Sequence, residues 1–231
     1  MSNWDIFVRE IIDREGYKMV LQGLSVTLQI AVFGFLIGLI FGSLLAIFKL
    51  LPSNGIFARF LKGFTNVYIA LFRGTPMVVQ LLIVHFVLFP ILGISIPATI
   101  EGVVAFGLNS SAYVCEIMRG GILSVDKGQT EAGRAIGLSY SKTMAKIVIP
   151  QAIKNVIPTL GNEFIALIKE TSVLKFIAVM DVTLAFEGIA DSTWEYIIPY
   201  LMLALIYLIL VLIITALIKL LERRLRASDK R

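Results

Sequence analysis

From Leu24 to Phe48 the chain carries no charged residue, and a run of that length matches the roughly 20 apolar residues that one helical crossing of a bilayer needs. Similar runs fill the rest of the chain. After the polar break Leu51-Pro52-Ser53-Asn54-Gly55, apolar residues extend from about Phe57 to Leu92, interrupted at Arg73-Gly74-Thr75-Pro76. Glycine and proline bend a helix and require local satisfaction of the freed backbone, so this reads as one long, bent second span. Ile96 to Ile117 gives a third span. Val156 to Ile168 begins a fourth, which continues into an irregular stretch around Thr171 to Ile189, and Ile197 to Leu221 gives the fifth.

Composition agrees with an all-α integral membrane protein. The 231 residues are 58% hydrophobic and 16% charged, with a mean hydropathy of +0.88, whereas soluble domains carry about a quarter charged residues. The net charge of +5 does not point to nucleic acid, because the basic residues flank apolar spans instead of lining one polar face. One cysteine, Cys115, in an apolar stretch excludes an intramolecular disulfide, and no Cys/His cluster suggests a metal. The N-terminal segment carries Asp5, Glu10, Asp13 and Glu15 before any long apolar run, unlike a cleavable signal peptide. Its Trp4, Phe7, Val8, Ile11 and Ile12 recur at helical spacing, which predicts a surface helix over 1–19 that anchors at the interface.

Five spans put the two termini on opposite sides. With the N-terminus outside, the inner segments hold Lys49, Arg59 and Lys62, then Arg119, Lys127, Arg134, Lys142, Lys146 and Lys154, then Lys219, Arg223, Arg224, Arg226, Lys230 and Arg231. The outer loops near Pro90 and Asp191 hold none, so the positive-inside rule favours this orientation. The expected organisation is one transmembrane domain over 1–231, with a membrane core at 20–225, a cytoplasmic loop at 124–150 and a cytoplasmic tail at 226–231.

The loop has internal structure. Asp126 and Gln129 have capping-box spacing, Ala132, Ala135 and Ile136 share a face, and Gly137 can end the short helix in a left-handed conformation. A small-residue face on a short exposed helix suits docking into a groove. The loop reads Glu131, Ala132, Gly133, three residues, Gly137, nine residues, Ile147, one residue, Ile149, Pro150. It resembles the EAA loop of the permease subunits of bacterial ATP-binding-cassette importers, departing at Gly133 and Ile149. Phe72-Arg73-Gly74-Thr75-Pro76 with Val79-Gln80, Ala112-Tyr113 with Glu116, Arg119-Gly120-Gly121-Ile122, Pro150-Gln151-Ala152, Asn162-Glu163-Phe164-Ile165 and Lys169-Glu170-Thr171-Ser172 look like the polar amino acid branch of these permeases, over roughly Leu21 to Leu225.

The resemblance implies five transmembrane helices of the type I importer kind, with a coupling helix between spans 3 and 4. Glu131, Ala132, Gly133, Ala135, Ile136 and Gly137 would then meet a cytoplasmic ATPase. It also implies a second permease subunit, either a copy of this chain or a related one, and an extracytoplasmic solute-binding protein. The chain has no G-x-x-x-x-G-K-[S/T] loop, so it is not expected to be an enzyme by itself; ATP and magnesium belong to the partner ATPase, and this chain needs no cofactor.

Depth along the spans suggests where a solute would sit. At about 1.5 Å per residue, Asn66, Asn162 and Glu163 count to mid-membrane from the inner side, and Asn109, Ser110 and Ser111 from the outer side. Asn and Ser also bond helices to one another in membranes, so both roles stay open for them. A lone carboxylate at that depth costs at least about 2.5 kcal/mol and marks a pathway or an ion pair. Asp181, Glu187, Asp191 and Glu195 add an acidic outer approach that would attract a cationic solute, unless these acids pair with Arg73, Lys169 or Lys175. The expected substrate site is Glu163, Asn66, Asn109, Asn162, Glu187 and Asp191, and the expected solute a basic amino acid, with glutamine or glutamate as the alternative. A secondary transporter is the competing class, but no internal repeat is visible and such a protein needs no ATPase docking loop. The single His85, in an apolar run, reads as packed or interfacial instead of catalytic.

Overall fold

The computed structural model describes residues 2–50 and 55–227, with side chains as far as Arg224. The expected polar break at Leu51, Pro52, Ser53 and Asn54, the side chain of Arg226, and the tail cations Lys230 and Arg231 lie outside the described residues. In chain order the helices are α1 (Asn3–Ile12), α2 (Gly16–Leu50), α3 (Ile56–Gly74), α4 (Met77–Ile83), α5 (Phe89–Ile91), α6 (Ala98–Leu123), α7 (Lys127–Ala135), α8 (Tyr140–Thr143), α9 (Ile149–Glu170), α10 (Val182–Thr193) and α11 (Ile197–Ala227). Two π-helical segments, Val84–Leu88 and Met144–Val148, join α4 to α5 and α8 to α9, and a 3₁₀ turn, Thr171–Ile177, follows α9. No strand occurs among the described residues.

By length and apolarity, α2 and the Ile197–Arg224 part of α11 each suffice to cross a membrane alone. The pair Ile56–Gly74 and Met77–Ile91 is a third candidate if counted as one broken span. At 26 and 22 residues, α6 and α9 are about 39 and 33 Å long at about 1.5 Å of rise per residue, enough for a core of about 30 Å, but they interrupt their apolar surface with polar groups.

The centre of the fold is the contact of α2 with α6. Water gives helices no hydrophobic reason to associate inside a bilayer, so close packing of small residues must do it. Gly34, Gly38 and Gly42 recur every four residues along α2. A Cβ built on them would lie 2.9 Å from Phe106 Cβ, 2.6 Å from Ser110 Oγ and 2.7 Å from Ser111 O respectively. Gly107 of α6 answers from the other side, where a Cβ would come within 2.5 Å of Ile37 Cγ2. Around this seam Ile30, Leu81, Ala105, Phe106, Leu167 and Leu174 form a buried core.

The bend expected at Arg73-Gly74-Thr75-Pro76 is present and sharp: α3 stops at Gly74, and the axis turns by 110° before α4. Pro76 drives Thr75 into extended backbone, φ −123° and ψ 147°, as a residue before proline prefers. The stretch expected to be irregular up to Ile189 instead contains α10, whose first turn is capped by Asp181 accepting from the Leu184 N–H at 2.9 Å. Close approach holds α10 to α2, since a Cβ at Gly23 would meet Asp181 O at 2.6 Å, and Thr27 Oγ1 accepts from the Val182 N–H at 3.2 Å.

Of the stretch 1–19 expected to be a surface helix, α1 covers Asn3–Ile12, with a reciprocal cap between Ser2 and Asp5, and α2 already begins at Gly16. Trp4 and Ile12 are exposed, while Phe7 is buried in a cluster with Val20, Val182, Phe186 and Leu203. Part of the apolar face of α1 is thus committed to the fold.

Candidate functional site

The exposed loop after α6 contains α7. Asp126 caps it by accepting from the Gly128 N–H at 2.6 Å, but Gln129 does not close the expected box. Its side-chain carbonyl accepts from Gln151 Nε2 at 3.2 Å, tying the helix to the start of α9. Glu131, Ala132, Ala135 and Ile136 face outward, Ile136 being 76% exposed. Gly133, expected with them, faces inward, where a Cβ would meet Thr143 Cγ2 at 2.6 Å; it seats α7 against the loop. The helix ends on Gly137, whose φ is +85°. The Leu138 N–H reaches Gly133 O and the Gly137 N–H reaches Arg134 O, both at 3.1 Å, the two bonds of a Schellman ending.

Within the bundle, Asn109 is buried and donates Nδ2 to Gln80 Oε1 at 2.8 Å. Gln80 Nε2 in turn reaches the carbonyls of Phe72 and Thr75 at 2.8 and 3.0 Å. Asn109 therefore supports the α3–α4 turn. Tyr68 donates to Leu108 O at 2.8 Å and lies 2.6 Å from Ser111 Oγ, fixing α3 to α6. Asn66 and Asn162 are exposed and join neither network.

Glu163 is partly buried on α9 and accepts from Ser110 Oγ at 3.1 Å. Among the described residues it has no ion-pair partner, although Arg73 is near enough to act on it electrostatically. Asn155, Thr159 and Glu163 recur every four residues on one face of α9. Ser110, Tyr113, Ile117, Gly121 and Ser124 form the matching strip on α6. Of these residues Tyr113, Ile117, Gly121, Ser124, Asn155 and Thr159 line a cavity of about 410 Å³ together with Arg73 and Glu116; Ser110 and Glu163 are not part of its lining. Glu116 accepts from Lys49 Nζ at 2.5 Å and Arg119 Nη2 at 2.8 Å.

The expected acidic approach is largely occupied by internal partners. Asp181 is fully buried as the α10 cap, which removes it from any entrance. Glu187 binds Lys175 Nζ through both oxygens at 3.2 Å. Asp191 accepts from the Tyr196 hydroxyl at 3.1 Å, a bond that pushes the phenol above its ordinary pKa. Glu195 accepts from the Ile197 N–H at 3.0 Å at the start of α11. Glu187 and Asp191 do line a shared cavity of about 370 Å³ with Lys175 and Phe176.

His85 lies against the Glu101 carboxylate, a second buried acid that depth counting passed over. Gln80, Tyr68 and Tyr113 were also missed as working residues; the visible signal was their place beside Arg-Gly-Thr-Pro and Ser-Ser-Ala in otherwise apolar runs.

A family model described as the binding-protein-dependent transport system inner membrane component matches residues 38–227. The arginine transport system permease protein ArtQ of Bacillus subtilis is 42% identical over 210 residues, 91% of this chain and 94% of that protein. A Rickettsia conorii protein named for a glutamine transport system, GlnP, is 38% identical over 206 residues, 89% of this chain and 92% of that protein. Among solved structures, a chain from the crystal structure of an amino acid ABC transporter with histidines superposes with a TM-score of 0.84 at 38% identity, covering 93% of this chain and 97% of that one.

Proposed function

The chain belongs to the family of inner membrane components of binding-protein-dependent transport systems, in its amino acid ABC permease branch, and on that premise we propose that it moves a basic amino acid across the cytoplasmic membrane. The observation that carries the substrate class is Glu163, a partly buried carboxylate within a membrane helix whose one described hydrogen bond comes from a neutral serine. A carboxylate so placed is complementary to a cation arriving from outside, and a naturally paired acid such as Glu116 is not. The likeness to ArtQ, named for arginine, supports the same choice; the likeness to GlnP keeps glutamine as the second reading.

The family has a separate ATPase, and the exposed Ala132, Ala135 and Ile136 give α7 a surface of the shape such a partner would grip. Five crossings with the N-terminus outside are supported by the apolar lengths of α2 and α11 and by the Lys and Arg of the expected inner segments. A second permease subunit and an external solute-binding protein complete the assembly. Alternating access would expose Glu163 first to the outer cavity near Glu187 and Asp191, then to the cleft between α6 and α9.

The test is equilibrium binding of radiolabelled arginine, lysine, histidine and glutamine to the complex purified with its ATPase. A lost charge-assisted contact is worth about 1.5 to 3 kcal/mol, or roughly 10- to 150-fold. Glu163→Gln should weaken arginine and lysine binding by that factor while leaving assembly intact. Equal affinity for arginine in a well-assembled variant would reject the basic substrate and favour glutamine.

A further inference from the structure

On the side of α9 turned away from the cleft, a second cavity of about 260 Å³ lies between α2, α9 and α11, and every residue lining it is apolar. Ile157 and Gly161 belong to that lining; each stands two residues from Thr159, about 160° round the helix from it. The floor is a close helix contact, because a Cβ built on Gly161 would lie 2.7 Å from Ile218 Cδ1. Phe35 of α2 and Phe164 of α9 stand at one end, their ring centroids 5.2 Å apart. Val32, Leu36 and Leu221 line the cavity and are nonetheless exposed, so it is a groove open towards the surroundings of the bundle. An apolar groove on the outside of membrane helices meets acyl chains, which fill it by packing alone.

The other end of the groove is cationic. α9 and α11 run antiparallel, since Gly161 meets Ile218 and, just past the end of α9, Thr171 Oγ1 lies 3.4 Å from the Tyr207 hydroxyl. Lys154 of α9 and Arg224 of α11 therefore stand at the same end, seven and six residues from the Gly161 contact, or about 10 Å along the axes. Lys154 precedes Ile157 by three residues and Arg224 follows Leu221 by three, so each shares a face with a residue of the lining. Arg224 is exposed and, among the described residues, makes no hydrogen bond or ion pair. Glu222 is the acid at this level, and Lys219 and Arg223 add two cations on the sides of α11 turned from the groove. Four cations thus face one acid. The length fits as well: from residue 157 to 164 the lining runs about 10 Å, within the roughly 15 Å that one leaflet contributes to a hydrocarbon core of about 30 Å.

We propose that this groove binds one anionic phospholipid of the leaflet at the C-terminal end of α11, with an acyl chain between α2, α9 and α11 and the phosphate at the level of Arg224 and Lys154. Long cationic side chains near a helix end reach the interface in this way. Each Lys or Arg at a membrane surface strengthens the hold on an anionic headgroup about fivefold. In the orientation proposed above this is the inner leaflet. The bound chain backs the helix whose opposite face carries Asn155, Thr159 and Glu163, which gives transport a dependence on lipid charge. The solute takes no part in the site, so its failure leaves the importer reading standing.

The test uses the permease purified with its ATPase, in phosphatidylcholine nanodiscs that carry a small fraction of phosphatidylglycerol or phosphatidylcholine with a photoactivatable diazirine in the acyl chain. After illumination, peptide mass spectrometry compares labelling at 32–36, 157–164 and 218–221 with the mean over all other labelled permease peptides, which reads bulk lipid. Relative to that mean, the groove should take phosphatidylglycerol over phosphatidylcholine by roughly 5- to 25-fold, the yield of one or two cations. Arg224→Gln should reduce the preference about fivefold and Arg224→Lys should keep it, whereas Arg223→Gln, on the far side of α11, should change it less than about twofold. Leu36→Trp, which fills the groove and alters no charge, should lower labelling by both lipids, and it decides the matter if Arg224→Gln does not assemble. Equal labelling by the two lipids, equal loss in Arg224→Gln and Arg223→Gln, or unchanged labelling in Leu36→Trp assigns the region to bulk lipid on a diffuse basic surface and overturns the site. A groove that neither lipid labels, while other helices are labelled, is covered by protein, either the partner permease or the tail after Ala227, and overturns it equally.

Discussion

Asn109 donates its side-chain amide to Gln80 Oε1 at 2.8 Å, and through that bond a residue in the middle of α6 sets where α3 gives way to α4. Gln80 Nε2 lies within hydrogen-bond distance of Phe72 O and Thr75 O, the acceptors exposed where the helix breaks before Pro76. A buried polar group stripped of its partner costs about 1 to 3 kcal/mol. Gln80→Ala and Asn109→Ala should each lower the melting temperature of the purified complex, and the double variant should cost less than the sum of the two, because both break one network. Thermal unfolding followed by tryptophan fluorescence checks this. A loss of solute affinity with unchanged stability in Asn109→Ala would return Asn109 to the substrate path.

Gly38 joins the packing of the bundle to its chemistry. A Cβ there would fall 2.6 Å from Ser110 Oγ, the hydroxyl that donates to Glu163. Gly38→Ala should therefore displace Ser110 or spread α2 from α6, at about 1 to 3 kcal/mol of overpacking. Arginine binding should fall along with stability. Ser110→Ala, which removes the hydroxyl without crowding, should lower affinity with a smaller loss of stability. Binding and melting measured on both variants separate these effects, and a Gly38→Ala complex that melts normally would mean the two helices have slack.

Orientation is tested by labelling. Ser139 and Ser192 are both exposed, and Cys115 is buried, so a Cys115→Ala background should be silent towards a membrane-impermeant maleimide. With five crossings and the N-terminus outside, Ser192→Cys reacts in intact cells and Ser139→Cys reacts only after lysis. Reaction of Ser139→Cys in intact cells would invert the assignment.

How much of this was legible in the sequence depends on whether the governing interaction is local. The uncharged run at Leu24 to Phe48 needs only its own composition to become helix, and Gly137 needs only a helix end, so both were readable. Asp126 as a cap was readable for the same reason. Gln129 was not, because Gln151, twenty-two residues on, draws its side chain away. The 110° turn at Thr75 was located but its sharpness was not, since that depends on Gln80 and Asn109 replacing the lost backbone bonds. Among the charged groups, counting depth singled out Glu163 as a candidate but could not reveal that Lys175 occupies Glu187, that Asp181 caps a helix, or that Lys49 comes from 67 residues away to Glu116. Partner assignment among acids and bases is a property of three dimensions. The four-residue glycine rhythm of α2 was in plain view; its meaning required the partner helix.

Gly137 offers the sharpest test of the coupling loop, because its environment separates backbone strain from crowding. No atom lies within 4 Å of a Cβ built there, so a side chain would not obstruct its neighbours, contrary to what its place in the turn suggests. The cost comes from φ of +85°, a conformation that side-chain-bearing residues adopt at roughly 1 to 2 kcal/mol. Asparagine tolerates the left-handed region better than most, and aspartate of the same shape adds a negative charge beside the negative end of the α7 dipole. Solute-stimulated ATP hydrolysis by the purified complex should therefore fall in the order glycine, Gly137→Asn, Gly137→Asp, Gly137→Val. Membrane insertion and arginine binding at Glu163 should hold in all four, since α7 lies outside the bundle. If Gly137→Val hydrolyses ATP and transports like the parent, the Schellman ending of α7 plays no part in gripping the ATPase; if Gly137→Asn is as damaged as Gly137→Val, the penalty lies in the docked surface itself and not in the turn.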